Sequence, residues 1–303
     1  MRDVLGELLD RLRLERIEEC LYRGESQDLG WGAIFGGQVL GQALSAAAQT
    51  VPGDRPVHSL HGYFLRQGDA ARPVVYTVDP IRDGSSFTTR RVVALQAGKA
   101  IFSLEASFQV EEPGFDHADP MPDTRGPEGL ATEAELARRL GDRLPPKLLA
   151  RASTDGPVLI CPVEPSDPLR PTPGPARRQI WFRANGDLPD DPAVHRYLLA
   201  YASDFYLLAT AMIPHGVSWL TPGMQVASLD HAMWFHRPFR FDDWLLYDLE
   251  SPSASGARGL VLGRLFDRQG RLVASTAQEG LIRDRGERSA RRTKAPPPGV
   301  EGA

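Results

Sequence analysis

The sequence predicts an α+β fold of two tandem repeats, each a long helix followed by an antiparallel sheet that wraps it. Three observations carry this prediction. Two blocks of about 100 residues show the same order of elements: a strand-like piece, an apolar-faced helix, then four strands. The hairpin turns Ala97-Gly98 and Gln269-Gly270 each lead into the last strand of their block. Ser59-Leu60-His61 and Ser228-Leu229-Asp230 open corresponding strands at an offset of 169 residues, close to the 172 that separates Gly98 from Gly270. An internal duplication follows, with the two sheets expected to pair into one pseudo-dimer.

The first block, residues 14–110, opens with a strand-like piece over Glu15–Tyr22. Its helix starts after Phe35-Gly36-Gly37 and sets Val39, Leu40, Ala43, Leu44 and Ala47 at helical spacing. Strands are predicted over 57–65, 73–80, 86–96 and 99–110. In the last of these Phe102, Leu104, Ala106 and Phe108 alternate onto one face. Residues 111–175 are rich in proline and read as a connector, with a short amphipathic helix around Glu133–Leu140. The second block, 176–285, opens with Gln179–Arg183. Asp191 is the N-cap of its helix and Pro192 the first helical residue. The pattern then runs through Tyr197, Leu198, Tyr201, Phe205 and Leu208 to Pro214–Gly216, and strands follow over 224–236, 244–250, 257–267 and 271–283. The first dozen residues read as a short helix or arm, and the Arg-, Pro- and Gly-rich tail, 286–303, as disordered.

A chain of 303 residues with 42% hydrophobic and 24% charged content has room for two domains with a sizeable core. Its net charge of −4 supplies no basic field for nucleic acid or an anionic membrane. Met1 to Leu14 lacks the apolar core of a secretory signal, and no run approaches the ~20 apolar residues of a membrane span. Cys20 and Cys161 form neither a disulfide framework nor a metal pattern, and the seven histidines show no metal spacing. The expectation is a cytoplasmic protein with no metal.

The sequence has no G-x-S-x-G, H-E-x-x-H, Walker loop or G-x-G-x-x-G. Any chemistry therefore falls to carboxylates, amides and hydroxyls. Asp204 stands out, because the periodicity places it in mid-helix on the apolar stripe with Tyr201, Leu207 and Leu208. An unpaired buried carboxylate there costs several kcal/mol, so it is either hydrogen-bonded and functional or turned to solvent. Helix spacing alone leaves both open. The first-block helix, Gly36 to Thr50, carries no carboxylate, which suggests one competent site per chain. Gly36-Gly37 at a helix start either exposes N–H groups to a developing oxyanion or simply allows a tight turn.

Six stretches together resemble the bacterial acyl-CoA thioesterase II (TesB-like) family. They are Phe35–Ala43 (FGGQVLGQA), Val57–Asp69 (VHSLHGYFLRQGD), Arg82–Arg91 (RDGSSFTTRR), Tyr201–Phe205 (YASDF), Ser228–Pro238 (SLDHAMWFHRP) and Ala274–Arg283 (ASTAQEGLIR). The likeness extends from about Leu14 to Arg283 and is weakest in the connector and the tail. It implies a double hotdog fold and hydrolysis of fatty acyl-CoA to free acid and CoA, with no cofactor. It also implies that Asp204, Ser228 and Gln278 bind the nucleophilic water. Many bacterial members have threonine at the middle position; serine keeps the hydroxyl and loses a methyl that restricts its rotamer. A backbone N–H around Gly36, Gly37 and Gln38 would hold the thioester oxygen. The partner implied is the acyl-CoA substrate, and the double unit is expected to form a homodimer or homotetramer.

Arg82, Arg90 and Arg91 are weighed as ligands of CoA phosphates, which arginine pairs bidentately, against ordinary surface cations. Asp230 and His231 are read as structural, His58 and His61 as core or interface residues, and Trp181, Trp219, Trp234 and Trp244 as packing anchors. Two alternatives stand beside hydrolysis. A non-catalytic acyl-CoA-binding protein would not need all three polar positions. A hotdog-fold enoyl-CoA hydratase would want a histidine close to Asp204, and position 209 is Ala209.

Overall fold

Alternating burial along the strands and a continuous apolar face on each long helix give the chain its layers. The computed structural model describes residues 3–30 and 32–286, so the tail from 287 onward lies outside the described residues. The first half comprises α1 (Val4–Leu12), β1 (Glu15–Glu18), β2 (Leu21–Gly24), α2 (Gly36–Ala48), β3 (Val57–Phe64), β4 (Val74–Asp83), β5 (Phe87–Gln96) and β6 (Lys99–Gln109). The connector holds α3 (Glu133–Leu140), α4 (Pro146–Ala152) and β7 (Val158–Pro162). The second half follows with β8 (Arg177–Ala184), α5 (Pro192–Ser203), α6 (Leu207–Met212), β9 (Met224–Ser228), β10 (Asp230–Phe235), β11 (Leu245–Ser255), β12 (Arg258–Asp267) and β13 (Leu272–Asp284).

One continuous sheet runs β1-β2-β4-β5-β6-β3-β10-β13-β12-β11-β8-β7, with β9 alongside β13. The order β2-β4-β5-β6-β3 is repeated in mirror sequence as β10-β13-β12-β11-β8, which is the α+β double hotdog expected from the duplication. The halves meet at an antiparallel seam that pairs Asp230 with Tyr63, His231 with Gly62, Ala232 with His61, Met233 with Leu60 and Trp234 with Ser59. The pairing of Ala232 with His61 is the middle of this ladder and lies on the pseudo-twofold axis, as the matching strand registers of the two halves require.

Inside the sheet α2 packs against α5. Leu40 and Leu44 of α2 are fully buried, each contributing about 1.5–3 kcal/mol of hydrophobic stabilisation. Small residues on α2 let the two backbones approach closely: a Cβ built on Gly37 would lie 2.1 Å from the Tyr201 carbonyl oxygen, and one on Gly41 3.0 Å from that of Tyr197. Polar groups on α2 are spent on anchoring. Gln42 donates to the Arg11 and Glu25 carbonyls and accepts from the Tyr76 hydroxyl at 2.6 Å, while Ser45 donates to the Leu12 carbonyl.

Four elements differ from the sequence expectation. The piece at Glu15–Tyr22 is two short strands, β1 and β2, separated by a turn in which Cys20 takes a left-handed φ of 56°. The connector supplies an edge strand, since β7 pairs with β8. The strand expected over 224–236 divides at Leu229 into β9 and β10. On β13, Gly280 faces Ser228 while Ala277 faces Ala232, so four residues of one strand span three of the other, a bulge. The second-block helix also breaks, between Ser203 and Leu207, where Tyr206 adopts φ 68°.

Replacing Gly37 by alanine tests the close helix crossing. The added methyl meets a backbone carbonyl that cannot rotate away, and the expected cost is about 1–3 kcal/mol in chemical denaturation. An unchanged denaturation midpoint would show that α2 and α5 are not in near-backbone contact.

Candidate active site

The helix break puts Asp204 where it is. Asp204 is the C-cap residue of α5 rather than a mid-helix residue, so the position expected from periodicity is corrected. No glycine, proline or asparagine marks the break in Tyr201–Leu208. It is held by tertiary partners instead. The Tyr247 hydroxyl donates to the Ser203 carbonyl at 3.0 Å, satisfying a helix end. The Tyr206 hydroxyl reaches Glu133 of α3, and the Arg178 guanidinium lies 5.0 Å from the centre of its ring. A left-handed non-glycine residue costs about 1–2 kcal/mol, which these contacts offset.

From the break, the Asp204 carboxylate meets the N-terminus of α2. A Cβ on Gly36 would come within 2.7 Å of Asp204 Oδ2, so only glycine leaves the carboxylate room. The Gly37 N–H faces it, at the positive end of the α2 dipole. Phe35 stacks on Phe205 with ring centres 4.6 Å apart and meets Tyr201 edge-on, forming an apolar wall.

Ser228 ends β9 and Gln278 lies mid-way along β13, almost fully buried. Gln278 Nε2 donates to Ser228 Oγ at 2.9 Å. Its Oε1 lies 2.6 Å from His231 Nδ1, and His231 Nε2 lies 3.0 Å from Ser203 Oγ. Regular alternation puts positions 228 and 231 on opposite faces of a strand. The bulge turns both toward Gln278. His231, read from the sequence as structural, joins these polar groups through its bonds to Gln278 and Ser203. Asp230 accepts from the Glu279 N–H at 2.7 Å and braces the bulge.

Burial raises the Asp204 carboxyl from its usual 3.8 to about 7, against the opposing pull of the Gln278 amide, the Gly37 N–H and the Ser228 hydroxyl. These groups face the carboxylate without saturating it: Asp204 Oδ1 is buried and has no hydrogen-bond partner among the described residues. Burial also pushes the His231 imidazole down to about 4. The site is thus a half-neutralised carboxyl beside a hydroxyl, an amide and a neutral imidazole. A cavity of about 1110 Å³ between the connector and the second half has Tyr201, Phe205 and Tyr206 in its wall, but not Asp204, Ser228 or Gln278.

This arrangement has known counterparts. A family model described as acyl-CoA thioesterase matches residues 162–281, and one for the acyl-CoA thioesterase N-terminal domain matches 26–109. Acyl-CoA thioesterase 2 of Haemophilus influenzae is 43% identical over 93% of this chain and 99% of its own length. Human acyl-coenzyme A thioesterase 8 is 44% identical over 90% of this chain and 87% of its own. The crystal structure of acyl-CoA thioesterase II TesB2 from Mycobacterium marinum superposes with a TM-score of 0.75 at 45% identity, covering 91% of this chain and 98% of that one. The chain belongs to the acyl-CoA thioesterase II family. It is an enzyme that hydrolyses acyl-CoA thioesters.

The remaining expected site residues fall in different places on the thioesterase. Gln38 does not offer a donor to substrate: its N–H bonds the Phe35 carbonyl at 3.0 Å, and its side-chain amide binds the Gln27 N–H and the Glu25 carbonyl. Arg90 is 3% exposed and cannot meet a CoA phosphate, because its guanidinium is engaged by Thr50, Asp83 and the carbonyls of Arg82 and Thr89. It ties off the C-terminal end of α2, far from Gly36. Arg91 is exposed and paired with Glu105 at 2.7 Å, and Arg82 is exposed on β4. His58 bonds Ser107, and His61 meets Trp234 edge-on at the seam. Trp181 is buried and donates to the Arg125 carbonyl, whereas Trp219 is 42% exposed in the wall of the cavity.

The two shifted groups act oppositely on stability. A folded carboxyl at about 7 holds a proton that the unfolded chain releases near 3.8, so its contribution is full at low pH and lost as pH rises to about 7. His231, at about 4 against a usual 6.5, contributes stability above 6.5 that is lost as pH falls through 4. The stability difference between Asp204→Asn and wild type isolates the first effect. It is expected to move in favour of the variant between pH 4 and 7 and to level off above 7; a difference independent of pH would mean that Asp204 ionises normally.

Proposed function

We propose that the thioesterase hydrolyses its substrate with a water held between Asp204, Ser228 and Gln278. The observation that carries this reading is the buried Oδ1 of Asp204, which retains unspent acceptor capacity beside a hydroxyl and an amide. Asp204 accepts a proton from the water as its oxygen attacks the thioester carbonyl carbon. The carbon–sulfur bond then breaks, and the leaving thiolate of CoA takes up the proton. A carboxyl near pH 7 suits this role, because a general base works best with a pKa close to the working pH. Ser228 and the remaining amide N–H of Gln278 fix the water's position. The first N–H of α2, at Gly36, lies against this point and is the proposed donor to the thioester oxygen, whereas the Gly37 N–H is engaged by the Asp204 carboxylate. One such donor stabilises the transition state by about 3–4 kcal/mol.

The cavity that has Leu136, Leu140 and Met212 in its wall shares Tyr201 and Phe205 with the apolar wall of the site and offers apolar room for an acyl chain. His231 bonds Gln278 and Ser203 rather than Asp204, which disfavours a hydratase with an Asp–His pair. A non-catalytic binder would gain nothing from a carboxylate that costs stability when ionised. Exposed Tyr63, Leu65 and Phe87 favour association of the double unit into a homodimer or homotetramer. The unbridged Cys20 and Cys161 suit a cytoplasmic setting, and no helix among the described residues is long and apolar enough to cross a membrane.

The test is thiol release from short-, medium- and long-chain acyl-CoAs. Asp204→Asn is expected to lower kcat by about 10²- to 10⁴-fold, the range of a lost general base. Gln278→Ala, which only frees the water, should lose about 10- to 100-fold. Turnover in a folded Asp204→Asn protein equal to wild type would remove Asp204 from the mechanism.

A further inference from the structure

An amide side chain is nearly symmetric in shape, so only its hydrogen-bond partners decide which end is nitrogen and which oxygen. For Gln278 those partners are Ser228 on one side and His231 on the other. His231 is fully buried at the seam, between Ser203 of α5 and Gln278 of β13, with Gly62 opposite it on β3. We propose that His231 is a positioning residue whose tautomer sets the direction of the chain Ser203–His231–Gln278–Ser228, and so the groups that Ser228 and Gln278 present to the water at Asp204. This inference rests on the water-activation reading above and assigns a role to a residue outside it.

Two arrangements satisfy every group in the chain. With the proton on Nδ1, His231 donates to Gln278 Oε1 across 2.6 Å and accepts at Nε2 from the Ser203 hydroxyl, which then turns its hydrogen away from the Ala200 carbonyl. Gln278 Nε2 then donates to Ser228 Oγ at 2.9 Å, and the Ser228 hydroxyl hydrogen is released toward Asp204. With the proton on Nε2, His231 donates to Ser203, whose own hydrogen goes to the Ala200 carbonyl 2.9 Å away. Gln278 must then turn its nitrogen to Nδ1 and its oxygen to Ser228, and the Ser228 hydrogen is spent on that oxygen. The first arrangement supports an ionised Asp204, whereas the second serves a protonated one. A doubly protonated imidazole would keep the Gln278 orientation of the first and the Ser203 orientation of the second, and burial keeps His231 neutral above about pH 4. The structure as assigned, with Oε1 toward His231 and Nε2 toward Ser228, corresponds to the first arrangement.

Two polar substitutions separate positioning from packing. Asparagine places its amide nitrogen where Nδ1 stands and can still donate to Gln278, whereas glutamine reaches the Nε2 position and Ser203. His231→Asn is expected to keep kcat within about threefold of wild type, and His231→Gln to lose about 10- to 100-fold with KM little changed. The acidic limb of the kcat profile should move to higher pH in His231→Gln only, since Asp204 then loses the Ser228 hydrogen. Tyr201 and Tyr247 also bear on Asp204, but both are pushed up by burial and stay neutral across that range. Equal kcat and equal pH limbs in the two variants, or losses that simply track thermal midpoints, overturn the proposal. Nitrogen NMR of histidine-labelled wild type tests it without substitution: a proton on Nδ1 of His231 is expected, and one on Nε2 above pH 7 overturns it. If Asp204→Asn is inactive but the two His231 variants do not differ, only this inference fails; a folded wild type without turnover defeats the reading beneath it as well.

Discussion

A carboxylate placed where two helix ends nearly touch is the constraint from which the rest of this structure follows. Asp204 sits at the negative end of α5 and against the positive end of α2, in a space that excludes any side chain at Gly36. Bringing the helices this close requires glycine at Gly37 and Gly41 as well. The same approach makes α2 too small and smooth to fill the sheet's interior alone, so the aromatic side chains of Phe35, Phe64, Tyr201 and Phe205 gather around its start. Apolar walls desolvate the carboxyl, desolvation raises its pKa, and the few polar groups left nearby must then be placed with care.

Much of the fold could be read from periodicity. Most strands of the sheet, the connector helix at Glu133–Leu140, the first long helix to within two residues of its start and the helix start at Pro192 stand where alternation, helical spacing and capping put them. Beyond the turn at Cys20 and the edge strand β7, what could not be read are two departures from regularity near the site. The break after Ser203 has no local signal, because it is imposed by Tyr247, Glu133 and Arg178 from distant parts of the chain. The bulge between Ser228 and Ala232 is a matter of register against β13, which a single strand does not encode. Arg90 was misread for a related reason. Its strand position resembles an exposed one, and only the return of Thr50 and Asp83 onto it makes it a buried anchor. Asp204 could be singled out physically as an awkward carboxylate, whereas Ser228 and Gln278 came from the likeness of their motifs to a family.

Both irregularities cost stability locally, and both act on the same few atoms. The break aims Asp204 at α2, and the bulge turns Ser228 and His231 together onto Gln278. A regular helix and a regular strand would have carried Asp204 along the apolar stripe and separated Ser228 from His231. Sequence rules for regular elements fail at this site because its geometry depends on leaving those elements, a pattern common where strained backbone serves function.

The duplication explains why this expense appears only once. On the corresponding strands of the first half, Leu60 and Ala106 are paired where the second half sets His231 beside Gln278. The first-half helix contributes glycines and backbone N–H groups but no carboxylate. Each half therefore supplies what the other lacks: α2 offers a helix start close enough to touch, and α5 offers the acid. Two equal halves would place a second buried carboxylate at the opposite end of the antiparallel helix pair, and the fold would bear its desolvation cost twice. Divergence of the repeats removes that second cost and lets the first half devote its seam to packing around the one buried carboxyl.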